Sequence, residues 1–157
     1  MTERSVTHAT FVIERNYDAA PARVFKAWSD PKARQRWFGD AEGWAVMELQ
    51  YDFRVGGREV SRFSQTGKNI YTNDTVYQDI VPDHRIIFAY TMAKDGENIS
   101  ASIATVELKP QGKGTRLVFT EQGAFLDGLD TPAIREGGWQ DLLNNLGKEF
   151  ASLSKSA

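Results

Sequence analysis

Hydrophobic and polar residues alternate along much of the chain, which is typical of strands that bury one face. In the first such segment, 9–17, the alternation places Phe11, Ile13, Arg15 and Tyr17 on one face. Similar strand-like segments follow at 46–53, 58–64, 70–81, 85–92, 99–109 and 115–122. Turn residues separate them, with Gly56-Gly57 and Asp95-Gly96 as the hairpin signals. About seven strands at hairpin spacing predict an antiparallel sheet.

Two segments follow a helical period instead. Between the first and second strands, Pro21 suits a first helical position, and a short apolar stripe follows it. Asp30-Pro31 repeats the start signal for a second short helix, which ends at 37–39. These features predict two short helices that connect the first strand to the rest of the sheet.

The end of the chain predicts one long helix. Thr131 can cap it and Pro132 fits its first position. Apolar residues then recur every three or four positions, at Trp139, Leu142, Leu143, Leu146, Phe150 and Leu153. About two dozen residues at ~1.5 Å each are long enough to cross a sheet. Gly137 and Gly138 interrupt the pattern; they indicate either missing side-chain volume at that point or a frayed helix start.

A strand-rich sheet and one amphipathic helix must bury their apolar faces on each other. We therefore predict an α+β fold in which a curved antiparallel sheet wraps around the C-terminal helix. The 157 residues fit a single domain, 1–157. Such a sheet can pack at its ends and stay open in the middle, which would leave a pocket for an apolar small molecule.

Composition narrows the functional classes. A net charge of −2 gives no basic excess for nucleic acid, and no apolar stretch approaches the ~20 residues of a membrane span. The chain has no cysteine, which excludes disulfides and cysteine-bound metals. The polar N-terminus lacks a signal-peptide core, so we expect a cytoplasmic protein.

Motifs for catalysis or cofactors are nearly absent. The sequence holds no Gly-x-Ser-x-Gly, His-Glu-x-x-His or Gly-x-Gly-x-x-Gly pattern. Its two histidines, His8 and His84, fall at the frayed start and in a turn. We therefore expect no metal and no cofactor, and the catalytic residues, if there are any, are unknown.

Three charged residues fall on predicted inward faces: Arg15, Glu59 and Glu121. Because unpaired charges are almost never fully buried, we favour the interpretation that each reaches water near a strand end. Alternatively, Arg15 and one glutamate line the cavity and orient a polar group of a ligand. A carboxylate there could also act as a general base.

The candidate ligand-binding residues lie on these inward faces, in the connecting segments and on the long helix. They are Arg15, Trp37, Phe38, Trp44, Tyr51, Glu59, Phe63, Tyr77, Phe88, Tyr90, Phe119, Glu121, Trp139 and Leu143. The segment 124–130 is a further candidate for the cavity rim. Its Phe125-Leu126 pair suggests either a mobile lid or a dimer contact.

Over residues 7–150 the chain resembles the superfamily that unites START lipid-transfer domains, Bet v 1 allergens and polyketide cyclases (SRPBCC). Within it, the chain is most similar to bacterial proteins related to the C-terminal domain of the activator of Hsp90 ATPase. The marks are the order and spacing of Ala20-Pro21, Val24-Phe25, Ala27-Trp28, Asp30-Pro31, Trp37-Phe38, Asp52-Phe53-Arg54-Val55-Gly56-Gly57, Asp79-Ile80-Val81-Pro82, Arg85-Ile86, Gly114-Thr115-Arg116-Leu117 and Gly138-Trp139. The resemblance implies a helix-grip fold, β-α-α-β6-α, with a cavity between the sheet and the last helix.

Three functions are compatible with this resemblance, because one fold hosts many activities. The first is the binding of a hydrophobic or aromatic small molecule or lipid. The second is an enzyme of the cyclase or hydratase type, whose actors would be Arg15, Tyr51, Glu59, Tyr77, Tyr90 or Glu121. The third is a stress-response interaction with a bacterial Hsp90-type chaperone. A homodimer is also possible, and the sequence does not name a ligand.

Overall fold

The computed structural model describes residues 3–39, 44–65 and 68–155; the side chains of 44, 46–48, 65 and 152–155 lie outside the description. The strands are β1 (Val6–Tyr17), β2 (Trp44–Tyr51), β3 (Arg58–Gln65), β4 (Ile70–Val81), β5 (Arg85–Lys94), β6 (Glu97–Gln111) and β7 (Gly114–Leu126). The helices are α1 (Pro21–Ser29), α2 (Pro31–Arg34) and α3 (Pro132–Lys155), and a π-helical turn, Gln35–Gly39, follows α2. No helix among the described residues has the length and apolar character to cross a membrane.

The strands form one antiparallel sheet in the order β1-β7-β6-β5-β4-β3-β2. β1 and β2 follow each other in the sequence but lie at opposite edges, with α1 and α2 in the connection between them. The long helix α3 contacts β1, α1 and the π-helical turn. This arrangement confirms the predicted α+β helix-grip fold.

The alternation in β1 directs its side chains as the sequence predicts. Phe11, Ile13 and Tyr17 are buried, whereas Val12 on the other face is 55% exposed. Ile13 pairs with Phe119 of β7, which brings two apolar side chains together on the inner face.

The short helices also follow their sequence signals. Asp30 caps α2, because its Oδ1 accepts a hydrogen bond from the Lys32 backbone N–H at 3.3 Å. The following π-helical turn buries Trp37, whose indole Nε1–H donates to the Ala27 carbonyl oxygen at 2.8 Å. The two short helices therefore pack as one connector.

Helix α3 begins at its predicted residues. The Thr131 hydroxyl accepts from the Ile134 backbone N–H at 3.2 Å, as an N-cap does. Its inner stripe is buried at Trp139, Leu143, Leu146 and Phe150, and the side chain of Leu153 lies outside the described residues. Since the helix starts at Pro132, Gly137 and Gly138 lie within it and do not mark a frayed start.

The loop between β2 and β3 differs from the prediction. It spans 52–57 and is not a two-residue hairpin turn. Gly56 has a φ of +80°, but Gly57 does not adopt the left-handed conformation. A Cβ atom on Gly57 would lie 2.1 Å from the Asp52 carbonyl oxygen, so close backbone approach requires this glycine. The expected two-residue turn is found at Asp95-Gly96, where both φ angles are positive.

The segment 124–130 is not the exposed lid that the sequence suggested. Strand β7 continues to Leu126, and Phe125 is buried in the interior. Strand β7 remains paired with β1 and β6 beyond residue 122, where the sequence predicted the strand to end. Only the last part of the segment, Leu129 and Asp130, reaches the cavity rim.

Candidate ligand-binding site

A cavity of about 540 Å³ lies between the concave face of the sheet and α3. This volume falls within the roughly 300–1,000 Å³ of small-molecule sites. On one side α3 contributes Ile134, Gly138, Trp139, Leu142 and Asn145. On the other, strands β2 to β6 contribute Leu49, Ser61, Phe63, Asn73, Met92 and Ile99. The wall is thus mostly apolar, with a few polar groups at defined places.

A second depression lies on the outer face of β1, β6 and β7. It is bounded by outward-facing residues such as Thr10, Ile103 and Gln122, all of which are exposed. This depression opens onto the solvent side of the sheet, whereas the inner cavity lies between the sheet and α3.

The predicted site residues whose side chains the structure describes divide into four groups. Phe38, Phe63, Tyr90 and Trp139 line the cavity. Behind that wall, the core holds Trp37, Tyr51, Tyr77, Phe88, Phe119 and Leu143. Arg15 is half-buried and donates through Nε to the Asn144 side chain on α3 at 3.0 Å, away from the cavity. The side chain of Trp44 lies outside the described residues. Glu59 and Glu121 form the fourth group.

Glu59 is buried in an ion pair with Arg34, a residue that the sequence analysis did not single out. Arg34 donates through Nε to Glu59 Oε1 at 3.0 Å and through Nη2 to Oε2 at 3.1 Å. The Tyr77 hydroxyl donates to the same Oε2 at 3.1 Å. Burial raises the pKa of Tyr77 well above its ordinary value, and the adjacent Glu59 charge adds to this effect. Tyr77 is therefore a fixed hydrogen-bond donor.

Aromatic rings surround the Arg34 guanidinium. Its Cζ lies 3.9 Å from the ring centroid of Phe38, 4.6 Å from Trp37 and 5.2 Å from Trp28. Such cation–π contacts stabilise a desolvated cation. Phe38 also lines the cavity, so the ion pair supports one wall of the site from behind.

A second buried network is centred on Arg135 of α3. Arg135 donates to Asp130 Oδ2 at 2.7 Å, to Glu121 Oε2 at 3.3 Å and to Ser100 Oγ at 2.6 Å. It also donates to the hydroxyl of Tyr90 at 2.9 Å. Because these partners lie on β5, β6, β7 and the segment before α3, Arg135 ties the start of α3 to the sheet.

The expectation that the inward glutamates reach water is wrong for both. Glu59 is 3% exposed and Glu121 is fully buried, and each is neutralised by an arginine. Burial raises the pKa of the Glu121 carboxyl, and the nearby Arg135 charge opposes that shift. Helical spacing could have revealed the partners, because Arg34 lies three residues before Trp37 and Arg135 four before Trp139.

Of the groups proposed for acid–base chemistry, Glu59, Tyr77, Tyr90 and Glu121 belong to these networks, whereas the Tyr51 hydroxyl donates to the Trp28 carbonyl oxygen. Among them only Tyr90 lines the cavity, and its hydroxyl donates to Glu121 Oε1 at 2.8 Å. That hydroxyl also accepts from Trp139 Nε1 at 3.1 Å, and burial raises the pKa of Tyr90 above its ordinary value. Within the described ranges, no group of three or more His, Asp or Glu residues is placed to hold a metal.

Two polar groups of the cavity wall have no hydrogen-bond partner among the described residues. They are the hydroxyl oxygen of Ser61 on β3 and the amide oxygen Oδ1 of Asn73 on β4. The two residues are directly opposite each other in the β3–β4 ladder. Sequence reasoning missed both, because only the strand register brings them together.

A family model described as "Activator of Hsp90 ATPase homolog 1-like protein" matches residues 18–151. The chain belongs to this family. A comparison with functionally curated proteins finds no significant match. The matched segment begins before α1 and ends within α3, so both buried networks and the cavity wall lie inside the family domain.

Solved structures of bacterial proteins share the fold. The Mll3558 protein from Rhizobium loti is 52% identical, with a TM-score of 0.86 over 92% of this chain and 99% of its own. A protein from Rhizobium leguminosarum is 42% identical, with a TM-score of 0.91 over 96% of this chain and 99% of its own. The AHSA1-like protein from Aeromonas hydrophila, at 22% identity, has a TM-score of 0.71 over 93% and 94% of the two chains and supports the fold alone.

Proposed function

We propose that the protein binds an apolar small molecule in the cavity between the sheet and α3. The observation that carries the proposal is the cavity itself: about 540 Å³, walled by Phe38, Phe63, Trp139 and aliphatic side chains. An apolar molecule gains roughly 25 cal/mol for each Å² of apolar surface that leaves water. Buried aromatic side chains are well suited to this because they offer large apolar area.

Two buried ion-pair networks hold the walls of the cavity in place. The Arg34–Glu59 pair braces the wall at Phe38, and the Arg135 network fixes the start of α3 against the sheet. Both networks are anchored on several elements, so the space between the sheet and α3 does not depend on one flexible contact. A site formed in advance loses less free energy when its ligand binds.

Gly138 offers a direct test of the cavity. It lies on the cavity wall within α3, and a Cβ atom there would meet no atom within 4 Å beyond its chain neighbours and the adjacent helix backbone. We expect Gly138→Phe to place a ring in the cavity and to weaken binding of the uncharged fluorescent probe N-phenyl-1-naphthylamine at least about tenfold. The measurement is a fluorescence titration of the probe.

The neighbouring Gly137 provides the matched control. It is also helical with open space around its Cβ position, but it is not part of the cavity wall. Gly137→Phe should therefore bind the probe as the wild type does. An equal loss in both variants, or no saturable binding to the wild type, would refute the proposal.

A further inference from the structure

The cavity wall carries one polar position that the fold itself does not use. Ser61 is only 3% exposed, and neither its hydroxyl oxygen nor Asn73 Oδ1 has a hydrogen-bond partner in the described part of the chain. Both residues line the cavity and face each other across the β3–β4 ladder. Two neighbouring polar atoms without partners therefore point to one spot in an otherwise apolar site.

Two other buried hydroxyl groups at or beside the cavity have hydrogen-bond partners. Ser100 accepts a hydrogen bond from Arg135, and the Tyr90 hydroxyl donates to Glu121. Buried polar groups are normally paired, and an unpaired one destabilises the fold. Since the Ser61 hydroxyl oxygen and Asn73 Oδ1 have no such partner among the described residues, these two atoms are available to a molecule in the cavity.

We infer that the ligand carries an uncharged hydroxyl group on its apolar body and that Ser61 and Asn73 bind this group. The inference rests on the proposed function. A hydroxyl can donate to the Asn73 amide oxygen and accept from the Ser61 hydroxyl at the same time. A hydrocarbon leaves both atoms unpaired and displaces any water bound there without replacing its hydrogen bonds.

The charges around the cavity favour a neutral group over an ion. The charged residues of the wall are two cations, Lys94 and Arg135, and two anions, Asp130 and Asp141. Arg135 and Asp130 are already paired with each other at 2.7 Å. Neither sign is in excess, and a carboxylate at the polar position would face the Asn73 oxygen, which repels it.

The test compares three ligands with the same ring system. Naphthalene, 2-naphthol and 2-naphthoate compete with N-phenyl-1-naphthylamine for the wild-type protein. We expect 2-naphthol to bind about tenfold more tightly than naphthalene, since its hydroxyl pairs with two buried atoms. Equal binding of these two ligands, or tighter binding of 2-naphthoate, would overturn the inference.

Variants connect that preference to the two residues. In Ser61→Ala and in Asn73→Leu, the preference for 2-naphthol should fall to less than about threefold, while the probe still binds. Ser64→Ala on the same strand is the control, because Ser64 is buried but is not part of the cavity wall. It should keep the wild-type preference.

The two proposals fail in different ways. If both Ser61→Ala and Asn73→Leu keep the preference for 2-naphthol over naphthalene, the assignment of Ser61 and Asn73 is overturned. The proposed function still stands in that case, because the probe binds in the cavity. No binding of the probe or of any naphthalene compound overturns both. Thermal melts of each variant establish that a lost preference does not reflect unfolding.

Discussion

At the scale of single residues, Arg34 shows how this interior accommodates a charge. Its guanidinium forms two hydrogen bonds to Glu59 and contacts three aromatic rings. Arg58 lies next to Glu59 on β3 and also forms two hydrogen bonds to one carboxylate, that of Asp74. The shorter of the two is 2.6 Å, and this pair lies at the exposed surface. The two pairs share their chemistry and differ in burial.

Burial should decide what each pair contributes to stability. Arg34→Met leaves Glu59 buried without its cation, and we expect a loss of about 3–5 kcal/mol in the free energy of unfolding. Arg58→Met, the control, should change it little because water screens that pair. Urea unfolding of both variants measures the difference. Similar losses in the two variants would show that burial does not set the contribution of the Arg34 pair.

At the scale of elements, α3 is docked onto the sheet through Trp139. Its ring lies 4.3 Å, centroid to centroid, from that of Phe119 on β7 and 6.5 Å from that of Trp28 on α1. Its indole N–H donates to the Tyr90 hydroxyl at 3.1 Å. One side chain therefore joins α3, α1 and the sheet, and it also lines the cavity.

Removal of this ring should weaken the docking of the whole helix. We expect Trp139→Ala to lower the free energy of unfolding by about 3–5 kcal/mol, the usual range for a large buried aromatic residue. Gln140→Ala on the exposed side of α3 should have a much smaller effect. Chemical denaturation followed by circular dichroism measures both. A near-neutral Trp139→Ala would mean that another face of α3 carries the packing.

At the scale of the whole molecule, both the sheet and α3 form the cavity wall, so the proposed ligand binding depends on the folded state. A ligand that binds only the folded state stabilises it by RT ln(1 + [L]/Kd), which is about 2.7 kcal/mol at a hundredfold excess over Kd. In a domain of this size, each kcal/mol raises Tm by roughly 2–4 °C. Occupancy of the cavity by a ligand should therefore be measurable as a rise in Tm.

We therefore expect N-phenyl-1-naphthylamine at a hundred times its Kd to raise Tm by about 5–10 °C. The same concentration should raise the Tm of Gly138→Phe by at most about half as much, since its ring occupies the cavity and weakens binding at least about tenfold. Differential scanning calorimetry measures both. A shift of equal size in the two proteins would place the bound probe elsewhere on the molecule.

The sequence by itself determined the elements and the fold. Period-two alternation in β1 and three- and four-residue spacing in α3 are local properties, and each element follows them because one face must be buried. The cap and proline signals at Asp30-Pro31 and Thr131-Pro132 placed the starts of α2 and α3. The ordered family marks predicted the helix-grip topology.

The tertiary structure decided the partners, because these are far apart in the sequence. Arg34 of α2 and Glu59 of β3 meet only in the folded chain, and Ser61 meets Asn73 only through the strand register. Alternation predicted that Glu59 points inward, but a single strand cannot show what neutralises its charge. The sheet-and-helix architecture thus follows from local pattern, whereas the cavity and its polar position arise from contacts between elements.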